Sequence, residues 1–291
     1  MNQNLIILAG GVSSRMKKQS ERQNLSSKTI QQANTRSKGL IEIGDGNIPF
    51  LHYLVNNAKM AGYLNIYMVI GENDTLFQEV YGKKERENNF KGLIISFVRQ
   101  YIPDGRVKPF GTADGVFQAL EQYPTLRSSM FTVCNCDNLY SKNILAALRK
   151  TKAPNALAGY DRDSLKYTTE RIARFALMKV GQDNSLIDII EKPSDEEVLN
   201  YYDTEEKLRV SMNIFRFNGD LFYPFLQNCP VHPQRNEKEL PTALLNMVNE
   251  IPRSVEVIPI SEHVIDLTSK EDIATVNEYL KKHYPNGLDW K

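Results

Sequence analysis

The sequence predicts an α/β fold built on a mostly parallel sheet covered by helices on both faces. Apolar runs of strand length alternate with segments of helical period, and their spacing suits crossover units. No repeat, low-complexity region or convincing linker interrupts this alternation, so residues 1–291 read as one domain rather than two. Residues 4–9 form the first predicted strand, ending at Gly10-Gly11. Residues 17–37 are polar and poor in large apolar groups, and read as a mobile insertion or flap that would bury little on folding. Residues 50–61 carry an apolar helical face bounded by Pro49 and Gly62. Strands are expected at 65–70, 93–98 and 130–136, with helices at 75–81 and 112–122 between them. From about residue 141 the pattern loosens. Helices are expected at 141–149, 219–226, 240–248 and 270–281, and strands at 155–159, 174–180, 185–190, 207–217 and 255–260.

Composition narrows the function. With 36 basic and 35 acidic side chains the formal charge is +1, which argues against long nucleic-acid tracking and strong membrane adsorption but allows a local basic pocket. No apolar run approaches the roughly 18 residues of a bilayer span. The opening run leads straight into glycines and does not read as a secretory leader, so a cytoplasmic location is expected. Cys134, Cys136 and Cys229 form no even disulfide framework. Cys134-x-Cys136 could supply two metal ligands, but alternate residues of a buried strand are the favoured reading. The four histidines form no compact zinc signature.

Five segments carry chemistry. After the first strand, Ala9-Gly10-Gly11-Val12-Ser13-Ser14-Arg15 permits a tight turn and a close approach of phosphate to backbone amides, and Arg15 offers a planar fork for phosphate oxygens. The glycine spacing matches neither a Walker A loop nor the dinucleotide fingerprint. Gly111-Thr112-Ala113-Asp114 opens a helix, where Thr112 can be a cap whose backbone faces a ligand or a cap alone. Asp137 ends an apolar strand, where a carboxylate can hold a hard divalent ion or cap a turn. Glu191-Lys192-Pro193 and the late Asp266 complete the set. By itself each segment also has a plain structural reading.

In order, these segments resemble the nucleotidyltransferases that activate sugar phosphates. Leu8-Ala9-Gly10-Gly11 with Ser13-Ser14-Arg15-Met16 is similar to the family's signature loop, which molybdenum-cofactor and isoprenoid cytidylyl enzymes share. Gly111-Thr112-Ala113-Asp114 resembles the ADP-glucose pyrophosphorylase pattern, and Cys136-Asp137-Asn138 takes the place of the family's aspartate with cysteine for the usual glycine. Ser211-Met212-Asn213-Ile214-Phe215 resembles Ser-Met-Gly-Ile-Tyr, with Asn213 for glycine. His263–Thr268 resembles Trp-x-Asp-x-Gly-Thr without its tryptophan and glycine.

The resemblance, over roughly residues 4–280, implies a Rossmann-like three-layer nucleotidyltransferase fold with a mixed, mostly parallel sheet. It also implies transfer of a nucleoside monophosphate from a nucleoside triphosphate to a sugar 1-phosphate, with release of pyrophosphate. In its terms Arg15, Lys38, Asp137 and Lys192 are catalytic. Ala9, Gly10, Gly11, Ser13, Gln100, Gly111 and Thr112 bind the nucleotide. Glu191, Lys192 and Ser211 meet the sugar, and Asp137 and Asp266 hold Mg²⁺. The expected partners are those two substrates, with no nucleic acid or membrane, and homo-oligomerisation is left open. A cytidylyl- or molybdenum-cofactor-type transferase and a noncatalytic nucleotide-sugar sensor are the rival readings.

Overall fold

A computed structural model describes residues 2–18, 25–44, 46 and 48–290. The first half runs β1 (Asn4–Leu8), α1 (Ser27–Thr35), β2 (Glu42–Ile43), β3 (Ile48–Pro49), α2 (Phe50–Ala61), β4 (Asn65–Gly71), α3 (Leu76–Tyr81), β5 (Asn88–Phe90), β6 (Leu93–Gln100), α4 (Thr112–Gln122) and β7 (Met130–Asn135). The second half adds β8 (Asn138–Leu139), α5 (Lys142–Lys150), β9 (Asn155–Asp161), α6 (Thr169–Ile172), β10 (Leu177–Val180) and β11 (Leu186–Ile190). It closes with α7 (Asp195–Val198), β12 (Arg209–Asn218), α8 (Gly219–Gln227), α9 (Leu240–Glu250), β13 (Val255–Ile260), β14 (Ile265–Asp266) and α10 (Asp272–His283).

The main sheet has the order β11-β10-β12-β7-β1-β4-β6-β5, with β9 beside β12 and β13 beside β9. Its centre, β7-β1-β4-β6, is parallel, and β12 joins β7 antiparallel. This is the mixed, mostly parallel Rossmann-like sheet that the sequence predicted.

Side-chain alternation divides the core between two layers. Leu5 and Ile7 of β1 pack with α2 and α5, through Leu51, Leu54, Ile144 and Leu148. Ile6, between them, faces α4, α8 and α9, through Val116, Leu120, Phe222 and Leu244. Each of these side chains is almost wholly buried, which stabilises the fold by about 1.5–3 kcal/mol apiece before entropy is counted. The bounds of α2 follow from its flanks: Pro49 precedes it, and Gly62 ends it in the left-handed region at φ 93°.

Residues 27–35 of the polar stretch 17–37 are helical, since Ser26 caps α1 by accepting from Thr29 N, and residues 19–24 of that stretch lie outside the described residues. Polar contacts anchor that helix: Gln32 Oε1 accepts from Glu42 N at 2.8 Å, and Lys28 pairs with Glu42 at 2.6 Å. The strand expected from Arg174 starts only at Leu177, because Thr168 caps the short α6 just before it.

Register sets up the functional edge. Leu8 of β1 lies opposite both Val69 of β4 and Asn135 of β7, and Gly71 lies opposite Gln100. The C-terminal ends of the parallel strands therefore deliver Ala9–Gly11, Gln100 and Asp137 to one side, where α/β sheets place their ligands. The small ribbon β8–β14 pairs Asn138 with Asp266, and Leu267 N donates to Asp137 O at 2.8 Å.

Candidate active site

Two clefts open along this edge and share a wall. The first is lined by Ala9, Gly10, Gly11 and Ser13 after β1, by Ser37 and Lys38, by Gln100, and by Lys108, Gly111, Thr112 and Glu237. Asn135 and Asp137 line both clefts. The second adds Arg15, Lys18, Arg171, Arg174, Lys192, Asn213, Arg235, Asp266 and Lys270.

Glycine is required where backbones meet. A Cβ on Gly10 would lie 3.0 Å from Gln100 Oε1, whereas one on Gly11 would meet nothing within 4 Å. Gly11 thus leaves an open face toward the cleft. Gly111, at φ 105°, could not carry a side chain: its Cβ would sit 2.3 Å from Lys238 O. Gln100 fixes this turn, donating through Nε2 to Gly111 O at 2.9 Å and to Asp114 Oδ2 at 3.1 Å. Both amide hydrogens are thereby engaged. Thr112 does not cap its own helix. Its hydroxyl accepts from Leu240 N at 2.9 Å and ties α4 to the start of α9.

Lys38 and Asp137 face each other across the shared wall, Nζ to Oδ2 at 2.8 Å. Close packing holds the lysine there, since a Cβ on neighbouring Gly39 would already be 3.2 Å from Leu51 Cβ. Asp266 accepts from Arg171 Nη2 at 2.8 Å and from Thr268 Oγ1 at 2.7 Å. Burial holds the Asp266 carboxyl above its usual range, and the charge of Asp137 adds to this. Asp137 and Asp266 both line the second cleft. Arg171 also grips Asp272, whose Oδ2 accepts from Thr268 N at 2.8 Å and Ser269 N at 2.7 Å.

The family model described as nucleotidyl transferase matches residues 4–283. The chain belongs to that family. It therefore carries a catalytic nucleotidyltransferase domain, whose general chemistry joins a nucleoside triphosphate to a phosphate acceptor and releases pyrophosphate. A solved structure of a UDP-glucose pyrophosphorylase complexed with UDP-glucose is similar over 97% of this chain and 100% of its own, with a TM-score of 0.67 and 17% identity. At that identity the likeness speaks to fold alone.

Within this nucleotidyl transferase, the residues expected to hold nucleotide, Ala9, Gly10, Gly11, Ser13, Gln100, Gly111 and Thr112, all border the first cleft. Arg15 borders the second, alongside Lys192 and Glu191. Ser211 is the exception. It is buried, its Oγ accepts from Asn213 N at 3.3 Å, and it does not line either cleft. Its neighbour Asn213 lines the second cleft instead, at φ 56° in a bulge of β12. Asparagine is among the few residues that enter the left-handed region readily, which reconciles it with the glycine of the family pattern.

Arg171, Arg174, Arg235 and Lys270 had no motif to announce them. Arg235 pairs with Glu191 and Glu239, and Lys270 Nζ donates to Lys18 O at 2.7 Å. Only the i, i+4 spacing of Arg235 and Glu239 was visible in the sequence. Cys134 and Cys136 are buried core residues, and burial pushes the Cys136 thiol up to about 12. Among the described residues no group of three or more His, Cys, Asp or Glu could hold a metal, and no helix is long and apolar enough to cross a membrane.

Proposed function

We propose that the first cleft takes the nucleoside triphosphate and the second a sugar 1-phosphate, and that the two react beside Asp137. The observation that carries this reading is the wall of Asn135 and Asp137 common to both clefts. An oxygen of the acceptor phosphate attacks the α-phosphorus, the bond to the β-phosphate breaks, and pyrophosphate leaves with that electron pair. The attacking oxygen is already ionised near neutral pH, so neither a general base nor a covalent enzyme intermediate is required. Positioning and charge then account for catalysis.

The open backbone of Gly10–Ser13 and the Lys38 ammonium receive the triphosphate. Arg15 and Lys192, on the acceptor side, draw in the second phosphate. Asn213 and the Glu191–Arg235 pair, which line the second cleft where Ser211 does not, would meet the sugar hydroxyls. Asp137 and Asp266 fit a divalent ion such as Mg²⁺: both are hard oxygen donors, Asp137 just before β8 and Asp266 on its partner β14, and the Asp137 charge already weighs on Asp266. Two carboxylates make an incomplete shell, which phosphate and water oxygens would fill. When bound, the ion would supply neutralisation of phosphate charge.

Pyrophosphate release across a matrix of nucleoside triphosphates and sugar 1-phosphates tests the proposal. A single sugar phosphate should stand out. Turnover confined to acceptors without a sugar, such as isoprenoid-precursor phosphates or a pterin phosphate, would overturn it.

A further inference from the structure

At the opposite edge of the sheet, where β1 and β7 begin and α5 ends, a separate depression is lined by Asn2, Ser129, Arg149, Lys150, Lys152 and Arg216 among others, and no Asp or Glu is in its wall. Arg216 lies on β12 in register with Thr132 and Ala156, and is only 4% exposed. It donates through Nη1 to Ala153 O, while its Nε is buried without a partner. No ion pair among the described residues includes it. Glu256, the acid that acts on it, already accepts from Thr151 Oγ1 at 2.6 Å. Burial accordingly pulls the Arg216 guanidinium below its usual range.

A buried charge without a direct ion pair is costly, and further cations beside it raise the cost. A purely structural account covers part of this arrangement. Arg149 and Lys150 sit in the last turn of α5, where cations suit the helix dipole, and Arg216 pins the turn after it through Ala153 O. That account leaves Arg216 with no ion pair and only the Coulombic pull of Glu256 to offset its burial, and gives Lys152 no task. We propose that the depression binds a small oxyanion of the phosphate class, with Arg216 beneath it and Lys150 and Lys152 above. The site is separate from the catalytic clefts, being at the other end of the strands that form them.

Calorimetric titration of the full chain with inorganic phosphate tests this, and a parallel titration with glycerol phosphate tells a free ion from a phosphate ester. Binding of either ligand should persist in Lys38→Ala/Lys192→Ala, which removes a lysine from each of the two catalytic clefts. It should weaken at least about tenfold when the exposed pair Lys150→Ala/Lys152→Ala is added, in line with the loss of charge-assisted bonds. Arg216→Met should melt higher than the parent in phosphate-free buffer and gain nothing from phosphate. Loss of phosphate binding in Lys38→Ala/Lys192→Ala would assign it to the catalytic clefts and overturn the proposal. So would unchanged binding in the lysine pair variant, or binding of single-stranded RNA with no response to either phosphate. Should Arg216→Met fail to fold, the lysine pair still decides.

Discussion

The two clefts differ in what builds them. The first is mainly backbone: Gly10 and Gly11 after a parallel strand and Gly111 at the start of α4, with one buried lysine. The second is made of long side chains that find one another across the chain, Arg171 with Asp266 and Asp272, and Arg235 with Glu191 and Glu239. A backbone site spells out its glycines in the chain, where neighbouring atoms leave no room for a side chain, as at Gly10 and Gly111, or where the backbone lies open to the cleft, as at Gly11. A side-chain site can draw its charges from any loop that reaches it. The first kind is therefore written locally in the sequence and the second is not.

The sharpest test of the division is at the shared wall. Lys38→Ala should lower kcat/KM by about 10²–10³, or roughly 2.7–4 kcal/mol, if it is a preorganised partner of the developing charge. Asp137→Asn should do the same while also lowering the melting temperature, because it strands the nearly buried Lys38 ammonium. The double variant Lys38→Met/Asp137→Asn should then melt higher than Asp137→Asn alone. Additive melting shifts would show that the 2.8 Å contact does not couple the two groups.

Next in size is Arg171, which works through Asp266 and Asp272. Arg171→Met should cut activity about ten- to a hundredfold, as loss of a supporting partner does at metal and phosphate sites. The metal concentration for half-activity should rise with it, while triphosphate binding stays near parental. Equal losses for triphosphate and acceptor would merge the two clefts into one.

Gly111 and Gly11 separate fold from function within the first cleft. Gly111→Ala places a Cβ 2.3 Å from Lys238 O at a positive φ, and should cost about 1–3 kcal/mol of stability in chemical denaturation. Gly11→Ala meets nothing within 4 Å and should melt like the parent, yet bind triphosphate more weakly. Parental triphosphate binding by that variant would mean that the Gly11 backbone does not approach a phosphate.

The division also explains what sequence reading captured. α2 and α4 start and stop where they were expected, since Pro49, Gly62 and Gly111 mark their ends in the chain itself. β8 and β14, two residues each, offered no period to detect, yet they bring Asp266 beside Asp137. α1 was hidden by composition, since its stretch is polar and its anchors are Gln32 and Lys28 on the Glu42 segment rather than an apolar face. Ser211 was chosen over Asn213 because a motif gives identities in order. It does not give the backbone turn that decides which of two neighbours faces the cleft.

Asn213 offers the smallest effect and the finest test. Its φ of 56° lies in a bulge where β12 loses register with β9 between Ser211 and Phe215. Tyr140 pins that bulge by donating its hydroxyl to Met212 O at 2.7 Å and to Asn213 O at 3.1 Å. The turn is thus held by the surrounding core and not by the Asn213 side chain. Asn213→Gly should leave stability within a few tenths of a kcal/mol, whereas Asn213→Ala should cost roughly 1–2 kcal/mol for a Cβ in the left-handed region without a local polar partner. Activity separates the remaining roles. If the side-chain amide meets the acceptor, both variants raise the KM for the sugar phosphate and spare that for the triphosphate. If only the turn matters, Asn213→Gly works like the parent and the exposed amide has no part in binding. Should Asn213→Ala be as stable as Asn213→Gly, the bulge has no left-handed requirement, and the match to the family's glycine rests on sequence order alone.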